Sequence, residues 1–166
     1  DSEVMLGKLA KEFGARMEFL YAIQHESSLR YEWLRQHLNA SIFSAGRRPK
    51  LAIWGIAYKK NTDSTWGAPS LRVIDDFASR ADIVAYDPLA KLPAESLAKQ
   101  VPDAYAALLE ADALVLLCDW DEFKGIDFVR LRKVMHTPLI IDGLGVLYGV
   151  HIPEGIQYIA MGKPCK

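Results

Sequence analysis

Residues 51–65 read LAIWGIAYKKNTDST, an apolar run that breaks at a single glycine and ends in a polar loop with two lysines. The apolar run has no in-and-out alternation, which is the mark of a strand buried on both faces, as in a parallel sheet. Downstream the same alternation of strand and helix repeats. SLRVIDDFASR (70–80) has apolar residues at helical spacing, with Pro69 at the opening; DIVAYDP (82–88) is a second strand. ESLAKQVPDAYAALLEA (95–111) is expected to be helical after a loop and DALVLLCDW (112–120) to be a third strand. FVRLRKVM (128–135) reads as a helix, PLIIDGLG (138–145) as a fourth strand and IQYIA (156–160) as a possible fifth. Strands alternating with helices predict a doubly wound, mostly parallel, Rossmann-like α/β sheet. In such sheets ligands sit beyond the carboxyl ends of the strands. The informative positions are therefore Tyr58 to Asp63, Asp87 with Pro88, Cys118 to Trp120, and Asp142 with Gly143.

Upstream, the first forty residues read as helix. Leu6, Leu9, Ala10 and Phe13, then Met17, Leu20 and Tyr21, then Leu29, Trp33, Leu34 and Leu38 recur at helical spacing, and Gly14 marks a break between two segments. SAGRRPK (44–50) reads as a linker, so the expected organisation is a helical segment over 1–45 and an α/β domain over 46–166. With 20 basic and 21 acidic residues interspersed, no field favours nucleic acid or an anionic membrane. The 51% hydrophobic content suffices for a core, but no apolar run reaches the roughly 18 residues of a membrane span. Two cysteines, Cys118 and Cys165, match neither a disulfide framework nor a zinc pattern, which suggests a reducing cytoplasm. His25, His37, His136 and His151 show no metal-ligand spacing, so no metal site is expected. Trp33, Trp54 and Trp120 read as packing residues, and Trp120, at a strand end, could also flank a ligand. Asn39 opens a glycosylation sequon by letter only, since no secretion signal precedes it.

The loop after the first strand lacks the G-x-G-x-x-G that would bring backbone amides to a dinucleotide pyrophosphate; it has Gly55, then bulky Ile56 and Tyr58. Lys59-Lys60-Asn61-Thr62 instead offers ammonium, amide and hydroxyl groups able to bind phosphate or sugar oxygens, although a solvated turn would look the same. Asp87 stands where a Rossmann domain binds a ribose hydroxyl; ahead of Pro88, and with no glycine fingerprint, it reads as a turn-forming aspartate.

LAIWGIAYKKNTDSTWGAPSLRVIDDF (51–77) resembles the C-terminal domain of the UDP-glucose/GDP-mannose dehydrogenases, with their G-x-[AS]-[FY]-K-x-x-T-D-D-x-R-x-[AS]-P-S run. VAYDPLA, ADALVLLCDWDEFKGID and PLIIDGLGV are similar to later motifs of that family in the same order, and residues 1–38 are similar to its long central helix. The resemblance implies a two-step, NAD-dependent oxidation of a nucleotide-sugar C6 hydroxyl to a uronic acid, of the kind used in polysaccharide biosynthesis. It implies a nucleophilic cysteine in a G-G-S-C-x-x-K-D motif whose final aspartate Asp1 matches. The nucleophile and the NAD-binding domain are thus expected upstream of Asp1. The resemblance gives Tyr58 and Lys59 to the substrate, and gives Thr62 and Asp63 to loop shaping, where a local backbone-capping turn is the alternative. It places Pro69 and Ser70 at a helix opening, and a homodimer contact on the N-terminal helices. Cys118, where the family often has threonine, and Cys165 read as incidental thiols. Three positions depart from the pattern. Trp66 replaces the arginine associated with the cofactor pyrophosphate, Leu144 replaces the arginine of I-D-G-R associated with substrate, and Ser27 replaces an asparagine. Neither tryptophan nor leucine can reproduce a guanidinium fork, so a non-catalytic nucleotide-sugar-binding or assembly module with the same fold is the alternative reading.

Overall fold

The computed structural model describes residues 2–14, 18–43 and 46–162. Two helices come first, α1 (Ser2–Phe13) and α2 (Glu18–Ile42). Gly14 follows α1 with φ +63, the left-handed value that ends a helix. Asp1 and Cys165 lie outside the described residues.

The remainder alternates as β1 (Lys50–Trp54), α3 (Pro69–Phe77), β2 (Asp82–Tyr86), β3 (Lys99–Gln100), α4 (Ala104–Leu108), β4 (Ala113–Leu116), α5 (Phe128–Val134), β5 (Leu139–Asp142) and β6 (Gln157–Ala160). A 3₁₀ turn, Asp121–Gly125, precedes α5. The strands form one six-stranded sheet in the order β3-β2-β1-β4-β5-β6, and every pairing is parallel. This is the doubly wound α/β, Rossmann-like fold expected from the strand pattern, with the order reversing between β1 and β4.

Successive side chains of a strand face opposite sides, and that period of two divides the core. Leu51 and Ile53, Ile83 and Ala85, Ala113 and Val115, and Leu139 and Ile141 face the side covered by α3. Ala52 and Trp54, Val84, Leu114 and Leu116, and Ile140 face the side covered by α4, the 3₁₀ turn and α5. On the α3 side, among the described residues, β5 reaches β6 through a loop and no helix of the domain follows to cover β4 to β6. The C-terminal half of α2 covers that gap. Tyr31, Leu34, Leu38 and Ile42 form one buried stripe in the same cluster as Leu139, Ile141 and Ile159. Arg80 pins the junction: its guanidinium lies 4.4 Å over the Phe43 ring and donates to Asn39 Oδ1 at 2.9 Å.

The structure departs from the sequence reading at two places. The helix expected across 95–111 is confined to Ala104–Leu108. Pro102 disfavours helix in the residue before it, and Asp103 then caps the shorter helix by accepting from Ala106 N at 2.8 Å. Upstream, Lys99–Gln100 adds a short edge strand, and the Gln100 amide bonds Leu92 N and Ala90 O. The second departure is that β1 stops at Trp54 rather than running on toward Tyr58, because Gly55 turns at φ +101.

Candidate functional site

The site sits where the strand order reverses, beyond the carboxyl ends of β1, β2 and β4. Gly55 donates to Tyr86 O at 2.8 Å, and Leu117 N donates to Trp54 O at 3.0 Å, so the three strand ends stay joined past the sheet. A Cβ added at Gly55 would lie 2.4 Å from Cys118 Cβ and 2.5 Å from its backbone nitrogen. Glycine is therefore required here by strand packing, and the space beside it is filled by protein. Burial, and then the nearby Asp87 carboxylate, push the Cys118 thiol up to about 11. A protonated, buried thiol is a poor nucleophile.

Asp87, only 5% exposed, holds this region together. Its Oδ2 accepts from Ile56 N at 2.8 Å, Ala57 N at 3.0 Å and Trp120 Nε1 at 3.1 Å. Its Oδ1 accepts from Leu89 N at 2.9 Å and Ala90 N at 2.7 Å. The turn read from sequence is present, but the same carboxylate also fastens the β1 loop and the tryptophan after β4. Those long-range donors left no local signal in the sequence. Ser70, fully buried in the first turn of α3, donates to Ile56 O at 2.8 Å and ties the helix to the same loop.

From this frame the loop 58–66 projects outward. Tyr58 N donates to Ser64 O at 2.9 Å, closing the loop on itself, and Asn61 takes the positive φ of +62 that asparagine tolerates. Thr62 Oγ1 accepts from Ser64 N at 3.2 Å. Lys59 and Asp63 are exposed and have no hydrogen-bond or ion-pair partner among the described residues. Lys60 is committed: its ammonium reaches Asp121 at 3.1 Å across the β1–β4 crevice, which raises the Lys60 pKa and lowers that of Asp121. Tyr58 is half exposed and Trp66 is 66% exposed, standing out from the loop. Leu144 is half exposed on a separate loop, after β5, that is shaped by Asp142. Tyr58 joins Gly67, Ala68 and residues of α2 and α3 around a cleft of about 720 Å³, which Trp66 and Leu144 do not line.

The crevice of this sheet does not fit a dinucleotide. The position of Gly55 is closed by Cys118, and both oxygens of Asp87 are occupied by protein donors. Among the described residues, no group of three His, Cys, Asp or Glu side chains is placed to hold a metal ion, and no helix is long and apolar enough to cross a membrane. His37 instead bonds the Trp33 carbonyl at 2.8 Å, and His136 lies 3.1 Å from Asp112 at the opposite end of the sheet.

The UDP binding domain model of the UDP-glucose/GDP-mannose dehydrogenase family matches residues 52–148. The UDP-glucose 6-dehydrogenase of Rhizobium meliloti is 33% identical over 71% of this chain and 28% of its own length. That of Pseudomonas aeruginosa is 30% identical over 93% of this chain and 37% of its own length. The chain thus spans about a third of the length of the curated relatives it matches. Among solved structures, the UDP-D-ManNAc dehydrogenase of Pyrococcus horikoshii superposes with a TM-score of 0.64 at 25% identity, covering 81% of this chain and 30% of that one. The NDP-N-acetyl-D-galactosaminuronic acid dehydrogenase of Methanosarcina mazei, at 19% identity, shares the fold with a TM-score of 0.70 over 95% of this chain and 36% of its own. The matched region begins in β1 and ends in the loop after β5, taking in the reversal of strand order and the Asp87 frame, so the chain belongs to the UDP-glucose/GDP-mannose dehydrogenase family and carries that family's UDP binding domain.

Proposed function

We propose that this domain forms the nucleotide-sugar-binding part of an NAD-dependent 6-dehydrogenase that oxidises a C6 hydroxyl to a uronic acid in the cytoplasm. The observation that carries the reading is the ammonium of Lys59, without a partner among the described residues and presented beside Tyr58 on a loop whose base is locked by Asp87. A cation on a fixed loop, with its neighbour Lys60 already neutralised, is available to a phosphate or a sugar hydroxyl. Thr62 shapes that loop through Ser64, whereas Asp63, expected to do the same, stands exposed on it without a partner among the described residues, and Trp66 flanks it. The hydride acceptor NAD and the reactive cysteine belong, in this reading, to parts of the enzyme other than this sheet. No cysteine among the described residues is exposed, and the space beside Gly55 is taken by Cys118.

We divide the chain into a helical segment, 1–45, and the nucleotide-sugar domain, 46–166. Met5, Leu6, Leu9 and Phe13 are exposed on α1, an apolar face suited to a homodimer contact. Sedimentation analysis with Phe13→Glu is expected to yield a lighter species than the parent chain.

Calorimetric titration with UDP-glucose, GDP-mannose, UDP-N-acetyl sugars and NAD, each separately at low salt, tests the function. Saturable binding of one nucleotide sugar is expected, weakened by about 1.5–3 kcal/mol in Lys59→Ala if the lysine meets a phosphate. Unchanged affinity in that variant removes Lys59 from the site. A second reading, an assembly module without catalysis, is favoured by Trp66 and Leu144, which carry no charge where the family pattern has arginines. Silence from every nucleotide in the titration supports it.

A further inference from the structure

Arg72 is placed differently from the other arginines of the domain. Arg47, Arg48 and Arg130 each meet a carboxylate, of Asp112, Asp82 and Asp103 respectively, while Arg80 bonds an amide and Arg132 a carbonyl. Among the described residues no carboxylate or other side-chain acceptor reaches the Arg72 guanidinium. Its Cζ sits instead over the Tyr31 ring, 3.7 Å from the centroid. That ring is itself fixed. Its hydroxyl donates to the Asp76 carboxylate and, at 3.2 Å, to the carbonyl of Arg72. Burial and then Asp76 raise the Tyr31 pKa, which keeps the phenol protonated and donating.

Stacking fixes the plane of a guanidinium and leaves its N–H edge free, which is the arrangement that takes two oxygens of a phosphate at once. Arg72 and Tyr31 both line the cleft between α2 and α3. Tyr58 contributes a half-exposed aromatic ring to the same cleft, Ser27 a hydroxyl and Asp75 a carboxylate that has no partner among the described residues. The start of α3, at Ala68 and Pro69, forms part of the wall and has no side-chain cap, so the positive end of that nine-residue helix faces the same space. The volume, about 720 Å³, is in the range of small-ligand sites.

We infer that this cleft is a nucleoside-diphosphate site in which Arg72, stacked on Tyr31, grips the diphosphate and Asp75 accepts from ribose hydroxyls. The inference rests on the proposal that the domain binds a nucleotide sugar, and it adds the residues on α2 and α3 that would hold the nucleotide. Asp75 gives it a discriminating feature: a carboxylate repels free pyrophosphate but welcomes a diol.

The test is calorimetry on the full chain with two probes, UDP and inorganic pyrophosphate, across the parent, Arg72→Ala, Arg72→Gln, Asp75→Asn and Lys59→Ala, with thermal melting of each to confirm the fold. Arg72→Ala and Arg72→Gln are expected to weaken UDP at least tenfold at unchanged melting temperature. Asp75→Asn is expected to weaken UDP several-fold while leaving pyrophosphate equal or tighter. UDP binding that survives both Arg72 variants but is lost in Lys59→Ala overturns the cleft assignment and leaves the domain-level reading standing. Failure of the folded parent chain to bind UDP overturns both.

Discussion

Asp87 and Asp142 are the same residue at equivalent ends of two parallel strands, both buried, yet they do different work. Asp142 serves its own neighbourhood: Oδ1 accepts from Leu144 N and Val146 N, and Oδ2 from Leu147 N and, across to β6, the Tyr158 hydroxyl at 2.9 Å. Asp87 gathers donors from three loops, those following β1, β2 and β4. Where the chain merely continues to the next strand, a carboxylate shapes one loop. Where the strand order reverses, two loops diverge and something must hold them in register, and a single buried carboxylate does so here. The candidate binding loop stands on the second kind of anchor, and the Leu144 loop on the first.

That contrast can be broken by measurement. Asp87→Ala strands five donors, three of them on buried residues, and is expected to cost about 4 kcal/mol in urea unfolding, against about 3 kcal/mol for Asp142→Ala. A larger loss at Asp142 would reverse the ranking of the two anchors. Leu38→Ala, which opens a cavity in the core that α2 shares with β5, is expected to cost about 3 kcal/mol and to lower the melting temperature of the sheet as a whole. If α2 were a detachable appendage, that variant would leave the sheet's transition unmoved.

Smaller effects sharpen the picture of the crevice itself. The Cys118 thiol is raised from about 9 to about 11, so folding favours its protonated form. Its contribution is complete below pH 9 and is lost as pH rises through about 11. Between pH 9 and 10, below the range of Tyr86, which burial and Glu122 push up to about 12, Cys118→Ala is expected to flatten the fall of stability with pH. An unchanged slope would place the thiol in contact with solvent. Lys60→Ala removes an exposed ion pair and is expected to leave the melting temperature unchanged, because such pairs are screened. A measurable drop would make the Lys60–Asp121 bridge a structural clasp across the crevice.

Much of this frame was legible in the sequence, and the reasons it was are local. Apolar runs without alternation announced β1, β4 and β5, Pro69 announced the start of α3, and Gly14 the end of α1. The missed features depended on distance. Pro102-Asp103 carries a readable signal for a late helix start, masked by the helical spacing around it. The edge strand at Lys99–Gln100 had none, since two residues paired to β2 leave no periodicity. The turn role of Asp87 was readable from Pro88 beside it, whereas its bonds to Ile56, Ala57 and Trp120 span about thirty residues of chain each way. Arg72 looked like any polar residue on a helix surface until α2 placed Tyr31 beneath it.

One feature of α2 carries a mechanical meaning. Its C-terminal half is embedded in the sheet's core, while Gln24 and Ser27, on its outer half, form a wall of the cleft and α1 lies alongside, with Gly7 close against Gln24. At 1.5 Å per residue the stretch from Glu18 to Tyr31 is about 20 Å long, so a tilt of about 10° about the buried end displaces the outer end by roughly 3 Å. With one end held in the hydrophobic core and the other lining the cleft, α2 has the geometry of a lever, in which a tilt of the outer arm would change the width of the cleft.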